Sequence, residues 1–344
     1  MQSETVAVLL NANAKQVSDR VQGHISHVMP PEDIFMSRSR RDAQAIARSV
    51  LERRYGTVFI GGGDGTFVGF LNEIFDRLDG GLSSAAAPRF GMLKLGTGNA
   101  VAHLVGASPA RGGGILDDLL RARSGEIPGV YRLDLLETEG RRCPFAGFGI
   151  DAAIINDYAT VKRRFAHGPL GRLAAGGSGY LASIVGRTAP HYLTGRGQAE
   201  VEVINLGGTA QRIGAGGRPL GRPLEHGELL YRGPCNIAAG STVPNFGYGF
   251  KFFPFAGQER GKMQLRISRL SAARVLANLP SIWKGRYSNE DDCFDFLCDR
   301  VSLRFDRAMP FQIGGDAEGY REKVSFGIAS RPVDMVSFNR GLLH

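Results

Sequence analysis

No stretch of this 344-residue chain approaches the eighteen or more apolar residues that a membrane-spanning helix needs. Only four cysteines are present, Cys143, Cys235, Cys293 and Cys298, and no two share the C-x-x-C spacing of zinc or redox sites. Scattered in this way they are expected to be reduced thiols, which implies a cytoplasmic protein. The seven histidines include no H-E-x-x-H pair, so no structural metal is expected. The N-terminus has no cationic leader followed by a signal-type apolar core, and internal repeats and low-complexity tracts are absent. Two familiar phosphate-binding patterns are also missing. G-x-x-x-x-G-K-[ST] does not occur, and from Gly61 and Gly63 the pattern G-x-G-x-x-G ends on Thr66 instead of glycine. Neither a P-loop nucleotidase nor an ordinary dinucleotide-binding dehydrogenase is favoured.

What remains is the composition of a globular protein, with 43% hydrophobic and 22% charged residues. The length suits two domains better than one. Forty-eight glycines point to many turns and close backbone approaches, and the formal charge of +9 favours an anionic partner. Nucleotides, phospholipid headgroups and nucleic acid all qualify on charge. Nucleic acid ranks last because no recognition motif accompanies the charge.

The chain is organised around residues 57–66, TVFIGGGDGT. An apolar run enters three glycines, an aspartate, a glycine and a threonine. Phe67, Phe70, Leu71, Ile74, Phe75 and Leu78 then recur at the spacing of one helical face. The expectation is strand, glycine turn, helix. Such a turn lets backbone N–H groups approach an anion closely, since glycine has no Cβ and tolerates positive φ. A helix-capping role for Asp64 or Thr66 is the plainer alternative. A second short strand, residues 90–95, delivers Gly96-Thr97-Gly98-Asn99, which would set both loops at the carboxyl edge of a parallel sheet.

Upstream, residues 6–10 form a buried strand and residues 25–29 a second one, ended by Pro30-Pro31. Ser39 or Asp42 caps a helix whose apolar stripe is Ala43, Ile46, Ala47, Val50 and Leu51. Residues 112–123 form another helix. From residue 130 strand-like runs alternate with turn clusters: 130–137, 145–151, 200–205, 229–231, 248–255, 263–267, 301–305 and 324–328. Helical segments are expected over 152–164, 170–188 and 273–283. This pattern divides the chain into an α/β domain, residues 1–135, and a mainly antiparallel β-rich domain, residues 136–344, whose last segment packs back on the first domain.

The aromatic run 245–255 allows two expectations. Alternation at Tyr248, Phe250 and Phe252 suits a strand with one buried face, while Phe253 and Phe255, turned outward around Pro254, would line an apolar entrance. Lys162, Arg163, Arg164, Arg172 and Arg187 form either an ordinary charged helix face or a surface for anionic headgroups.

Four motifs in order resemble those of the diacylglycerol kinase catalytic family, which includes bacterial lipid kinases and sphingosine and ceramide kinases. Gly62-Gly63-Asp64-Gly65-Thr66 matches its GGDGT and Gly96-Thr97-Gly98-Asn99 its GTGN. Gly147-Phe148-Gly149-Ile150-Asp151-Ala152 is similar to its G-x-D-A strand end, and residues 312–318, QIGGDAE, stand where it has an Asp-Gly-Glu turn. There are departures. Ala12 replaces the proline after Asn11, Ser37 stands for a nucleotide-contacting threonine, and Lys94 for the proline before GTGN. Ala100 follows the loop as in sphingosine kinases, Ala317 replaces a glycine, and Arg260 replaces the aspartate of an Asp-Gly turn, which puts the family's structural cation in question.

The resemblance implies an N-terminal three-layer Rossmann-like domain with a parallel sheet and a C-terminal mainly antiparallel β-sandwich. It implies ATP and Mg²⁺, with the phosphates and the rest of the nucleotide pocket formed by Asn11, Ser37, Gly62, Gly63, Gly65, Thr66, Gly96, Thr97, Gly98 and Asn99. Asp64 would serve Mg²⁺ or act as base, Asp316 would join it at the metal, and Asp151 and Glu318 would complete the catalytic set, Asp151 facing the lipid. The competing reading makes Asp151 and Asp316 turn residues, and for Asp316 the two readings stand about level. The implied reaction is transfer of the γ-phosphate to the hydroxyl of a sphingoid base, ceramide or diacylglycerol, by a cytoplasmic protein held peripherally at an anionic membrane surface, with a homodimer as one oligomeric option and no nucleic-acid partner. The alternatives are an NAD kinase-like enzyme, which shares the GGDGT loop, and a nucleotide- or lipid-binding protein without catalysis.

Overall fold

A computed structural model describes residues 5–14, 16–81, 85–96, 99–110, 113–149, 152–153, 156, 198–246 and 250–339. They fall into two compact units. The first is built from the described residues of 1–133, 245–249 and 330–344, and the second from those of 134–244 and 250–329.

In the first unit the elements follow as β1 (Val6–Asn11), α1 (Asp19–Ser26), β2 (Ile34–Ser37), α2 (Arg40–Glu52), β3 (Thr57–Gly62), α3 (Asp64–Asp79), β4 (Arg89–Lys94), α4 (Ala100–Leu104), α5 (Gly114–Arg123) and β5 (Gly129–Leu133). The strand Val333–Ser337 inserts between β4 and β5, giving the order β2-β1-β3-β4, Val333–Ser337, β5. All neighbours run parallel except β5, which is antiparallel to Val333–Ser337. Strands β1 and β3 are apolar along nearly their whole length because helices cover both faces of the sheet. Ile46, Val50 and Leu51 of α2 and Phe67, Phe70, Leu71, Ile74 and Phe75 of α3 are buried, the face their spacing predicted. Phe67 meets Phe90 of β4 edge-on with ring centroids 6.2 Å apart. Burying each such side chain contributes about 1.5–3 kcal/mol.

Residues 25–29 are not a strand. Ser18 caps a helix by accepting the Val21 N–H, and Val21 and Ile25, four apart, turn toward the core cluster. The second strand comes after Pro30-Pro31, at Ile34–Ser37. At α2 the capping box is complete: the Ser39 hydroxyl accepts the Asp42 N–H at 3.2 Å and the Asp42 carboxylate accepts the Ser39 N–H at 3.0 Å.

The second unit holds β6 (Leu136–Thr138), β7 (Arg141–Cys143), β8 (Phe145–Gly149), β9 (Ala199–Asn205), β10 (Ala210–Ile213), β11 (Pro219–Leu224), β12 (Leu229–Cys235), β13 (Ile237–Ser241), β14 (Met263–Ser268), the helices α6 (Ala272–Ala277) and α7 (Leu279–Trp283), β15 (Cys293–Cys298), β16 (Arg300–Ile313) and β17 (Asp316–Ile328). Its twelve strands form one antiparallel hydrogen-bonded network, in which the long β16 pairs with β17, β9 and β8 along different parts of its length. Gly147 of β8 packs where a Cβ would lie 2.3 Å from the Ala239 Cβ, so its smallness serves strand packing here.

The aromatic run departs from its expected form. Residues 250–255 are loop, because their backbone groups bond to side chains and to the preceding turn: Arg266 donates to the Phe252 carbonyl at 2.6 Å, Gln264 accepts the Phe255 N–H at 2.8 Å, and Phe253 donates to Pro244 at 3.1 Å. Phe253 and Phe255 point inward, 0% and 9% exposed, so they line no entrance. Arg266 itself is buried and forms a bidentate pair with Asp295, both contacts at 2.8 Å. All four cysteines are free and buried. Among the described residues no helix is long and apolar enough to cross a membrane.

Candidate active site

The first unit's sheet reverses its winding between β1 and β3, and the crevice at the carboxyl ends of two such strands is where open α/β sheets bind ligands. Asn11 ends β1 beside Ser37, the last residue of β2. Its side-chain amide crosses the crevice and donates to the Thr66 hydroxyl at 2.8 Å, while its carbonyl oxygen accepts the Asn13 N–H at 2.9 Å. The Ser37 hydroxyl donates to the Ser39 carbonyl at 3.3 Å.

Strand β3 runs into Gly61 and Gly62, and α3 starts at Asp64 with Gly63 as its cap residue and no side chain capping it. The N-terminal amides and the positive dipole end of a sixteen-residue helix therefore open onto this loop. A Cβ on Gly62 would lie 2.5 Å from the Thr66 hydroxyl oxygen. One on Gly96 would lie 2.1 Å from the Gly63 Cα and 2.3 Å from its nitrogen. The two glycine turns thus touch backbone to backbone, at a separation that excludes any side chain.

Asp64 ties them together. Its carboxylate is 8% exposed and accepts the Ala100 N–H at 2.8 Å and the Val101 N–H at 3.0 Å, the opening amides of α4. Burial pushes its pKa above the ordinary carboxylate value, and the two amides oppose that shift. Asn99, in the left-handed conformation at φ 53°, closes the second turn by donating to the Gly96 carbonyl at 2.8 Å and accepting the Gly96 N–H at 3.3 Å. Gln16 donates to the same carbonyl at 3.3 Å.

Lys94 is half-buried at the end of β4. Burial lowers its pKa, opposed by Asp118 on α5. Burial and Lys94 together lower that of His103.

The second unit holds the other predicted acids. Gly314 and Gly315, at φ 59° and 90°, turn β16 into β17, and Asp316 opens the returning strand opposite Ile313. Glu318 pairs with Arg141 of β7, and Arg321 donates to the Glu318 carbonyl at 2.9 Å. Asn156 clamps this hairpin, donating to the Phe311 carbonyl at 2.9 Å and accepting the Gly319 N–H at 2.9 Å. Arg260 donates to Asp134 at 3.1 Å and the Gly261 N–H to the same oxygen at 2.9 Å, so at this turn a guanidinium neutralises the acid.

Asn11, Ser37, Gly62, Gly63, Asp64, Gly65, Thr66, Gly96 and Asn99 thus gather at one sheet edge, and Asp316 and Glu318 lie together on one hairpin. Thr97, Gly98 and Asp151, and the basic residues Lys162, Arg163, Arg164, Arg172 and Arg187, lie outside the described residues. Gln16, Arg141 and Asn156 were not anticipated. Their partners are 80, 177 and 163 residues away in sequence, and no local pattern marks them. The glycine cradle suits nucleotide phosphates. Among the described residues no cluster of three or more His, Cys, Asp or Glu could hold a metal.

Residues 5–128 match the diacylglycerol kinase catalytic domain family. Among solved structures, a diacylglycerol kinase from Bacillus anthracis str. Sterne superposes with a TM-score of 0.62 at 13% identity, over 99% of each chain. A second protein from that organism, a candidate diacylglycerol kinase, gives 0.64 at 15% identity, over 98% of each chain. At these identities the likeness shows a shared fold. An NAD kinase from Archaeoglobus fulgidus, solved with ATP, reaches only 0.46 at 9% identity, over 98% of this chain and 96% of its own, too remote to bear on function. No curated protein sequence matches the chain.

Proposed function

We propose that this chain, whose residues 5–128 match the diacylglycerol kinase catalytic domain family, is an ATP-dependent kinase that phosphorylates the hydroxyl of a membrane lipid. The observation that carries this is the side-chain-free contact of Gly96 with Gly63 at the carboxyl edge of the sheet. It leaves a surface of backbone N–H groups, backed by the α3 dipole, where a polyphosphate can lie.

Bound ATP would supply the phosphoryl group and Mg²⁺ its charge neutralisation, with the ion carried largely by phosphates and water, as Mg²⁺ usually is at nucleotide sites. Asn11, Ser37, Gly62, Gly63, Gly65 and Thr66 would face the nucleotide from one side, with Gly96, Thr97, Gly98 and Asn99 on the other. Asp64 acts first as a positioning residue, locking the opening turn of α4 against the first loop. Metal or base work by Asp64 would use the lone pairs that Ala100 and Val101 leave free. The acceptor side rests on resemblance: Asp151 and Glu318 are proposed to orient and deprotonate the lipid hydroxyl, and Asp316 to assist at the metal. Glu318 would have to exchange Arg141 for the acceptor.

The test is γ-labelled ATP with diacylglycerol, ceramide and a sphingoid base in mixed micelles, and with NAD in a separate arm. Label should enter one of the lipids, and Asp64→Asn should reduce it at least tenfold. Label in NAD alone would reassign the acceptor. ATP binding with no transfer to anything would leave a nucleotide-binding protein without turnover. Equal labelling by wild type and Asp64→Asn would remove Asp64 from the machinery.

A further inference from the structure

Between β14 and β15 the chain inserts the helices α6 and α7. The inner side of α7 is anchored by Ile282, which is buried in a cluster with Leu270 and Cys293, with Phe250, Phe252, Val275 and Tyr287 packed around it. Its outer side is apolar as well. Leu279 and Trp283, four residues apart on one helical face, are 39% and 42% exposed. Trp283 is the chain's sole tryptophan. Its ring stacks on Phe250 with centroids 5.2 Å apart, and its backbone carbonyl accepts the Lys251 N–H at 3.0 Å.

The charges that flank this face along the chain have one sign. Lys251, Lys284 and Arg286 are exposed, and among the described residues they make no ion pair, whereas Arg269 and Arg274 pair with Asp292. The segment's other acids, Glu290 and Asp291, come only at its end, ahead of β15. A stacked, exposed tryptophan beside a leucine, flanked along the chain by three unpaired cations, has the chemistry of an element lying in a membrane interface: the indole prefers the headgroup level, and the cations meet lipid phosphates. A second copy of this chain would bring the same three cations face to face, so charge complementarity selects an anionic occupant.

We propose that the α6–α7 insertion docks the protein on an anionic bilayer, with Leu279 and Trp283 entering the headgroup boundary and Lys251, Lys284 and Arg286 on the phosphates. This extends the proposed function to a defined surface, and it is read out without turnover.

Because Trp283 has no tryptophan background, its emission reports docking in the unmodified full chain. Titration with phosphatidylcholine vesicles containing phosphatidylglycerol should shift the emission to the blue, and pure phosphatidylcholine should shift it much less. The neutralisations K251Q and K284Q should each weaken vesicle co-sedimentation about fivefold, an effect fading in high salt. Leu279→Ser should weaken it too, with circular dichroism confirming the fold. Vesicle binding with unchanged Trp283 emission would overturn the proposal, because another surface would then be docking. So would the absence of binding, or a dimer in sedimentation velocity that Leu279→Ser dissolves. Vesicle binding by a chain that phosphorylates no lipid in micelles would sink the kinase and leave the docking surface standing.

Discussion

Asp64 and Asp316 both follow glycine turns, and burial pushes the carboxyl pKa of each upward. What opposes that push differs. Asp64 is 8% exposed and is held by two backbone amides of α4, groups that cannot move or be screened without breaking the helix start. Asp316 stands at the exposed start of β17, and the relief there comes from the Arg141 side chain. The acid of the first turn is held by backbone groups and that of the second by side-chain charges. A site built the first way holds its geometry before any ligand arrives, whereas one built the second way can exchange partners.

The largest test of this contrast is a methyl group placed in each turn. In Gly96→Ala the new Cβ would collide with the Gly63 Cα at 2.1 Å, and only backbone movement could relieve it. Such overpacking is expected to cost about 3 kcal/mol, read as lost protection of the Ala100 and Val101 amides in hydrogen exchange and as loss of ATP binding. Gly315→Ala meets nothing within 4 Å and pays only for a left-handed φ of 90°, about 1 kcal/mol. Equal costs at the two positions would erase the distinction between the turns.

Asp64→Asn comes next. The amide keeps one acceptor but turns an NH₂ toward a backbone N–H, which is expected to cost about 2 kcal/mol, with Ala100 and Val101 exchanging about thirtyfold faster. The pH dependence has a definite sign. The folded carboxyl binds its proton more tightly than the unfolded one, whose ordinary value is 3.8. The folded state therefore holds more protons across that interval, so stability is full below the ordinary value, falls as pH rises through the raised one, and stays level above it. Asp64→Asn should flatten this segment of the stability curve.

How much of this was legible depended on distance along the chain. The strand–turn–helix at β3–α3 and the paired loop after β4 are local patterns, and both stand where glycine spacing and apolar periodicity put them. Residues 25–29 misled because five apolar-rich residues fit a strand as well as a helix, and the decision was taken by the Ser18 cap upstream. The alternating aromatics before residue 255 looked like a strand, but the Arg266 and Gln264 side chains took up their backbone groups. The acid in the glycine loop was visible, whereas its partners, two amides 36 and 37 residues on, carry no side-chain signature. The Arg141–Glu318 pair spans 177 residues and could not be read from either end.

That pair supplies the smallest effect and the sharpest contrast. Its side chains are 34% and 23% exposed, so solvent screens the attraction, and Arg141→Gln should cost no more than about 0.5 kcal/mol at low salt and nothing measurable in high salt. Removing the guanidinium also removes the group opposing the upward push on Asp316, so the Asp316 carboxyl should titrate at a higher pH in Arg141→Gln than in the wild type, by carbon-13 NMR of the side chain. The Asp64 titration should not move with either the substitution or the salt. If high salt shifted Asp64 as much as Asp316, the buried clasp would be as accessible to counterions as the hairpin, and the preorganised glycine edge would have to be abandoned.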